Sequence, residues 1–256
     1  MAILRFLGTS NSIPDLEHGN THMLISIEDH NILIDCPGDI IQRMLKLNIS
    51  PDHISELILT HFHPDHVGGV SLLLMSMWLQ KRTKPLAIYG NHHTIKSVIS
   101  LMENSGWQSW PDFYPVEFIT ILETQEGISP VLETETLRVT SAFGDHFLPT
   151  NALRFDFLKC GHSVAYSSDT EPCEEFVQLA KGAEIMIHES TGSGTGHSSS
   201  VEAAEIANRA GATDLYLIHY QARNQALEEM QEQARSVFKG EVHLARDFET
   251  ITFDCP

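Results

Sequence analysis

Apolar residues along the chain come in two kinds of run. Short runs bounded by Gly, Pro, Asn, Asp or Ser predict strands, and longer stretches with apolar residues three and four apart predict amphipathic helices. Residues 3–7, 22–27 and 31–35 predict three strands, the last two joined at Glu28-Asp29-His30. Residues 38–47 place Ile40, Ile41, Met44, Leu45 and Leu47 at helical spacing, and Ser50-Pro51 ends that helix. Residues 57–60 form a short buried strand that runs straight into His61, and 68–80 a strongly apolar helix. The alternation then repeats: strand 86–89, helix 92–102, an aromatic stretch around Trp107 and Trp110, and strands at 116–122, 137–142, 152–158 and 163–167. A helix at 172–180 carries proline in its first turn, where the missing N–H costs nothing. Strand 184–188 leads to a Gly/Ser/Thr-rich segment, 191–196, whose composition predicts mobility. Helix 198–210 opens on a serine run and closes at Gly211, and strand 214–219, helix 224–238 and strands 242–244 and 250–253 finish the chain.

Strands open each half and βα units follow, with no linker or repeat between. The expected architecture is α/β: one domain, 1–256, with two sheets face to face and helices outside, a four-layer αββα sandwich. At 256 residues, 42% hydrophobic and 20% charged, the chain can bury such a core. No apolar run reaches the roughly 18 residues a membrane span needs, and residues 1–12 lack a signal-peptide pattern. Cys36, Cys160, Cys173 and Cys255 form no C-x-x-C pair, so reduced thiols and a cytoplasmic location are expected. A net charge of −18 argues against a broad nucleic-acid surface. The unusual count is fifteen histidines, which directs attention to metal ligation.

The segment Thr60-His61-Phe62-His63-Pro64-Asp65-His66-Val67-Gly68-Gly69 packs three imidazoles and a carboxylate into six residues at the C-terminal end of a strand, where α/β folds place their sites. Imidazole with carboxylate suits Zn²⁺, Mn²⁺ or Fe and not a thiolate-type site. In an extended turn His61 and His63 point one way, and Asp65 and His66 fall on the other side of the loop. One loop can thus feed two adjacent ions.

This H-x-H-x-D-H pattern resembles the signature of the metallo-β-lactamase superfamily, whose fold is the four-layer sandwich. Further motifs follow in the family's order. Gly144-Asp145-His146 resembles the third-histidine motif. Tyr166-Ser167-Ser168-Asp169-Thr170 resembles the Y-S-G-D-T bridging-aspartate motif, with Ser168 in place of glycine. His188-Glu189-Ser190, Gly196-His197-Ser198-Ser199 and His219-Tyr220-x-x-Arg223 resemble motifs of the tRNase Z branch. The resemblance spans Leu4 to Arg223. It implies a first metal on His61, His63 and His146, a second on Asp65, His66 and His219, and Asp169 bridging them. Two such ions, zinc or else manganese or iron, would share an activated water. Asp65 would orient the nucleophile, His197 would protonate the leaving oxygen with Glu189 orienting it, and Arg223 would contact a phosphate. A homodimer is also implied.

His18, His22, His92, His93, His162 and His188 fit no ligand slot and are read as structural, with His22 near enough the site to line it. Trp107, Trp110, Phe113 and Tyr114 are read as a packed satellite in preference to a substrate lid. The long Gly/Pro-rich arm of true tRNase Z enzymes has no room between His146 and Asp169, where only 22 residues intervene. A small phosphodiester or nucleotide is therefore the expected substrate, and a large RNA is not. Hydrolysis of an ester, lactone or thioester, tRNA 3′-end cleavage, and a non-catalytic metal-binding role are the alternatives.

Overall fold

The structure, a computed structural model, describes every residue except Glu123, Gln125, Glu126, Asn224, Gln225 and Pro256. The first half of the chain forms strands β1 (Ala2–Gly8), β2 (His22–Ile27), β3 (His30–Ile34), β4 (Glu56–Ile58), β5 (Leu86–Gly90) and β6 (Val116–Thr120). Helices α1 (Ile40–Lys46), α2 (Pro64–Val67), α3 (Val70–Leu79) and α4 (His92–Asn104) connect them. The second half forms β7 (Ser129–Glu133), β8 (Leu137–Gly144), β9 (Thr150–Phe157), β10 (Ser163–Tyr166), β11 (Ile185–Glu189), β12 (Asp214–Ile218), β13 (Glu241–Leu244) and β14 (Thr250–Phe253). Its helices are α5 (Glu174–Leu179), α6 (Ser200–Ala210) and α7 (Leu227–Arg235). The start of the helix expected at 224–238 lies outside the described residues, and the described helix begins at Leu227.

Among the described residues, one sheet has the order β14-β1-β2-β3-β4-β5-β6 and the other β13-β12-β11-β10-β9-β8-β7. Both follow one plan. The pairs from β14 to β3 and from β7 to β10 are antiparallel. The pairs from β3 to β6 and from β10 to β13 are parallel.

The near-continuous apolar runs belong to strands such as β2, β4, β10 and β11, which are buried on both faces, with successive side chains pointing to opposite layers. Phe6, Ile25, Ile32, Ile58, Phe155, Tyr166 and Ile187 point into the layer between the sheets. Leu24, Leu33, Leu57 and Leu59 point the other way, against α1, α3 and α4. Ala165, Met186, Leu215 and Leu217 do the same against α5, α6 and α7. The four-layer αββα sandwich is thus present.

Three local features differ from expectation. The helix expected at 68–80 is α3, which starts after Gly69, and a further single turn, α2, precedes it and carries Asp65 and His66. Gly69 sits where a Cβ would lie 2.1 Å from the Pro37 carbonyl oxygen, so only glycine passes there. Strand β7 was not foreseen, since Pro130 interrupts its pattern and it lies at a sheet edge, where proline is tolerated. The expectation of reduced thiols fails for one pair: Cys160 and Cys255 form a disulfide across 95 residues of chain. Cys160 lies in the β9–β10 turn and Cys255 just past β14, a proximity created by sheet packing that sequence spacing cannot show.

Candidate metal centre

The expected ligands come from the C-terminal ends of strands in both sheets. His61 follows β4, His146 follows β8, Asp169 follows β10 and His219 follows β12. Three residues at these strand ends turn the chain through left-handed backbone: Asp35 (φ 63°), Ser168 (φ 53°) and His219 (φ 55°). At Ser168 this accounts for the glycine of the resembled motif, because glycine adopts such φ freely.

Two groups of side chains match the expected ligand sets. His61, His63, His146 and Asp169 form one, and Asp65, His66 and His219 the other; Asp169, His197 and His219 make a third, overlapping group, and all ligand atoms of a group lie within 4.8 Å of one another. His61 Nε2 lies 3.0 Å from His63 Nδ1, and His146 Nε2 3.1 Å from the same atom. His66 Nε2 and His219 Nε2 are 3.3 Å apart. Asp169 stands between the groups, 3.5 Å from His66 Nε2 through Oδ2 and 3.5 Å from His219 Nε2 through Oδ1.

The hydrogen bonds behind these rings decide what the inward nitrogens are. His146 Nδ1 donates to the Gly196 carbonyl at 2.6 Å, and His66 Nδ1 to Asp35 Oδ2 at 2.8 Å. Thr60 Oγ1 donates to Asp35, so it accepts from His61 Nδ1 at 3.1 Å. Thr191 Oγ1 donates to the His219 carbonyl, so it accepts from His219 Nδ1 at 2.9 Å. Each of these four imidazoles commits its N–H outward and turns Nε2 inward as a lone pair. Lone pairs about 3 Å apart repel unless a cation lies between them. Burial drives His61, His63 and His146 towards the neutral, ligand-competent form. His66 departs from this pattern: burial opposes its charge, but Asp169 and Asp35 on either side outweigh burial and raise its proton affinity. Positive charge is therefore demanded between His66 and Asp169, and a metal ion would supply it. Asp169 Oδ1 is also buried without a hydrogen-bond partner among the described residues. The donor set fits a divalent cation of the borderline class.

The two residues expected to act as an acid–base pair are also brought together. His197 Nδ1 lies 2.9 Å from Glu189 Oε1. Glu189 is fully buried and accepts from the backbone N–H of Thr170, Thr191 and Ser198. Burial raises the pKa of Glu189. Burial of His197 disfavours its charge, but the Glu189 bond prevails and its pKa rises. The His197 ring lies stacked 5.9 Å from His219. Loop 191–196, expected to be mobile, is tied by Gly192 N–H to Ser198 O and by Gln221 Nε2 to Thr191 O. Gly196 (φ 79°) cannot be larger, since a Cβ would lie 2.8 Å from His146 Nδ1.

The cavity above the ligands has a volume of about 310 Å³. His63, Asp65, Asp169, His197 and His219 line it, together with Asn11, Ser12, Pro64, Phe147 and Thr191. Arg223 is exposed and is not among the lining residues. His22 is fully buried and does not line the cavity; its Nδ1 donates to Asn20 O at 2.7 Å. Trp107 and Trp110 pack with Phe113 against the α3 layer, and Trp110 stacks on Trp78 at 5.0 Å.

Sequence reasoning missed Asp35. Its carboxylate accepts from His66 Nδ1, Thr60 N–H and Thr60 Oγ1, and so braces one ring in each ligand group. The available signal was a lone acid directly after the apolar run of β3.

Residues 2–243 match the family model described as anti-Pycsar protein Apyc1. A ribonuclease Z of Methanothermobacter thermautotrophicus is 31% identical, over 93% of this chain and 92% of its own length. The crystal structure of the human tRNase Z short form superimposes with a TM-score of 0.80 at 25% identity, covering 98% of both chains. The metallo-beta-lactamase fold protein YhfI of Bacillus subtilis gives 0.83 at 22% identity, again over 98% of both.

Proposed function

Because the chain belongs to the family described as anti-Pycsar protein Apyc1 and is a tRNase Z-like hydrolase of the metallo-β-lactamase fold, we propose that it hydrolyses a small phosphodiester, such as a cyclic nucleotide or a ribosyl cyclic phosphate. The observation that carries this reading is the meeting of two inward-facing ligand groups at Asp169, on the floor of a small open cavity beside the His197–Glu189 pair. His61, His63 and His146 would hold one divalent ion and Asp65, His66 and His219 a second, with Asp169 shared; zinc, manganese and iron all suit the donors. Such ions would supply an acidified water and offset the charge that builds on phosphorus.

The chain's own residues do the rest. Asp65, on the α2 turn, orients the attacking oxygen. Glu189 takes the Nδ1 proton of His197 in a hydrogen bond and leaves Nε2 to meet the substrate. With its raised proton affinity, His197 gives its proton to the leaving alkoxide, a step worth about 10²–10⁴-fold for a poor leaving group. Size selection supports a small substrate: β8 and β9 are joined by residues 145–149 alone, with no inserted arm to hold a tRNA.

The test is turnover by the Mn²⁺-loaded protein of bis-p-nitrophenyl phosphate, a cyclic nucleotide, a thioester and a pre-tRNA. Phosphodiester hydrolysis that Asp65→Ala reduces at least a hundredfold is expected. Thioester turnover alone overturns the reading. His197→Ala is expected to slow the cyclic nucleotide far more than the p-nitrophenyl ester; equal slowing removes His197 from the acid role. Cleavage of pre-tRNA in preference to the small diesters would establish the second reading, which the 31% identity to a ribonuclease Z favours.

A further inference from the structure

The cavity is small and open, and its described lining residues include no lysine or arginine. The ligand groups account for the phosphate end of a substrate. Nothing charged is left to hold the remainder, which must project past the rim.

At that rim stands Phe147. It is 63% exposed, and it is the one aromatic among the exposed large hydrophobic side chains described. A scattered exposed aliphatic needs no explanation. An exposed ring that lines the metal cavity does, because it leaves hydrophobic surface in water where a ligand would cover it. The ring is also packed along one edge. It follows His146 directly and packs edge-on against that imidazole, with centroids 5.3 Å apart. A Cβ at Gly196 would lie 2.9 Å from two atoms of the ring, so the absence of a side chain there is what makes room for it. One edge is thus anchored against His146 and Gly196, and the rest faces cavity and solvent. A rigid, pre-placed ring loses little entropy on binding. Its π-face is indifferent to which base it meets.

We propose that Phe147 is the base-stacking platform of the site, so that the substrate is a nucleotide held by its phosphate at the metals and by its base on this ring. This rests on the phosphodiesterase reading of the same site and adds the substrate's aromatic base. Stacking on an aromatic face does not depend on which base is stacked, so purine and pyrimidine nucleotides should both be accepted.

The test is binding, read apart from turnover. Calorimetric affinities of adenosine 5′-monophosphate and ribose 5-phosphate are measured on the Mn²⁺-equilibrated protein. The wild type is expected to prefer the nucleotide about tenfold, the scale of one base on one aromatic ring. Phe147→Ala and Phe147→Leu should both lose that preference, leaving ribose 5-phosphate affinity unchanged, and Phe147→Trp should keep it. Leucine retains apolar bulk without a π-face, so it separates stacking from simple packing. A preference that survives in Phe147→Leu, or is absent in the wild type, overturns the proposal. Loss of the preference in a protein that turns over no phosphodiester would sink the phosphodiesterase reading and leave the platform standing. Normal diester turnover without any base preference would do the reverse.

Discussion

The Asp35 carboxylate, fully buried, reaches both ligand groups at once: directly to His66, and through Thr60 to His61. Partners of this kind fix ring orientation and tautomer, and their loss typically costs about 10–100-fold in metal affinity. Asp35→Asn keeps the volume but presents an amide where two donors expect an acceptor. We expect the variant to fold, by circular dichroism, and to bind Mn²⁺ or Zn²⁺ about 10–100-fold more weakly in a chelator competition. Wild-type affinity would show that the rings hold themselves. The candidate ligands were legible in the sequence because six residues carried four of them in a distinctive spacing. Asp35 was not, because one acid after an apolar run has no spacing of its own. Its role exists only once α2 folds back and sets His66 beside β3, where Cys36 N–H bonds the His66 carbonyl.

Among the elements, strands that pack on both faces were the most legible, since β2, β3, β11 and β12 are runs of Ile, Leu and Met with little else to become. Edge strand β7 and the break between α2 and α3 were not, being set by Pro130 and by contact of Gly69 with the Pro37 carbonyl. Within β11, His188 is an exception to its apolar run. It is fully buried, packs edge-on against Phe176 and donates Nδ1–H to Glu189 O at 2.8 Å. Burial pushes its pKa down to about 4, from an ordinary 6.5. The unfolded chain therefore binds this proton more readily than the folded one, and the fold loses stability as pH falls from about 6.5 towards 4. The loss at pH 4.5 is roughly 2–3 kcal/mol, from a shift of that size at 1.36 kcal/mol per unit. Urea unfolding at pH 7 and pH 4.5 measures it. His188→Asn, whose amide can replace the donor but does not titrate, should shrink the difference between the two pH values by about that amount. An undiminished difference would place the acid sensitivity in other groups.

Across the whole molecule, the two sheets pack on a shared apolar layer, and polar or covalent links join them at its two ends: the clustered His and Asp side chains at one and a disulfide at the other. Cys160 lies in the turn that enters β10, opposite the end where Asp169 leaves it, and Cys255 follows β14 near the start of β1. The Met1 ammonium donates to the Cys255 carbonyl at 2.6 Å, at this same pole. Composition pointed to free thiols because spacing shows only local pairs, and this pair closes a loop of 95 residues that packing alone brings together. A cross-link over so long a loop restricts the unfolded chain strongly; removing it should cost about 2–4 kcal/mol, below the chain-entropy ceiling of roughly 4.7 for a loop near this length. Cys255→Ser, or reductant on the wild type, should lower the unfolding free energy in urea by that amount. Turnover of bis-p-nitrophenyl phosphate at 25 °C should stay unchanged, because the ligands and His197 gather at the opposite ends of the strands. Reductant that leaves the wild type as stable as before would mean the bond does not form in solution. A fall in kcat/KM alongside stability would mean that the far pole reaches the metal centre through the sheets.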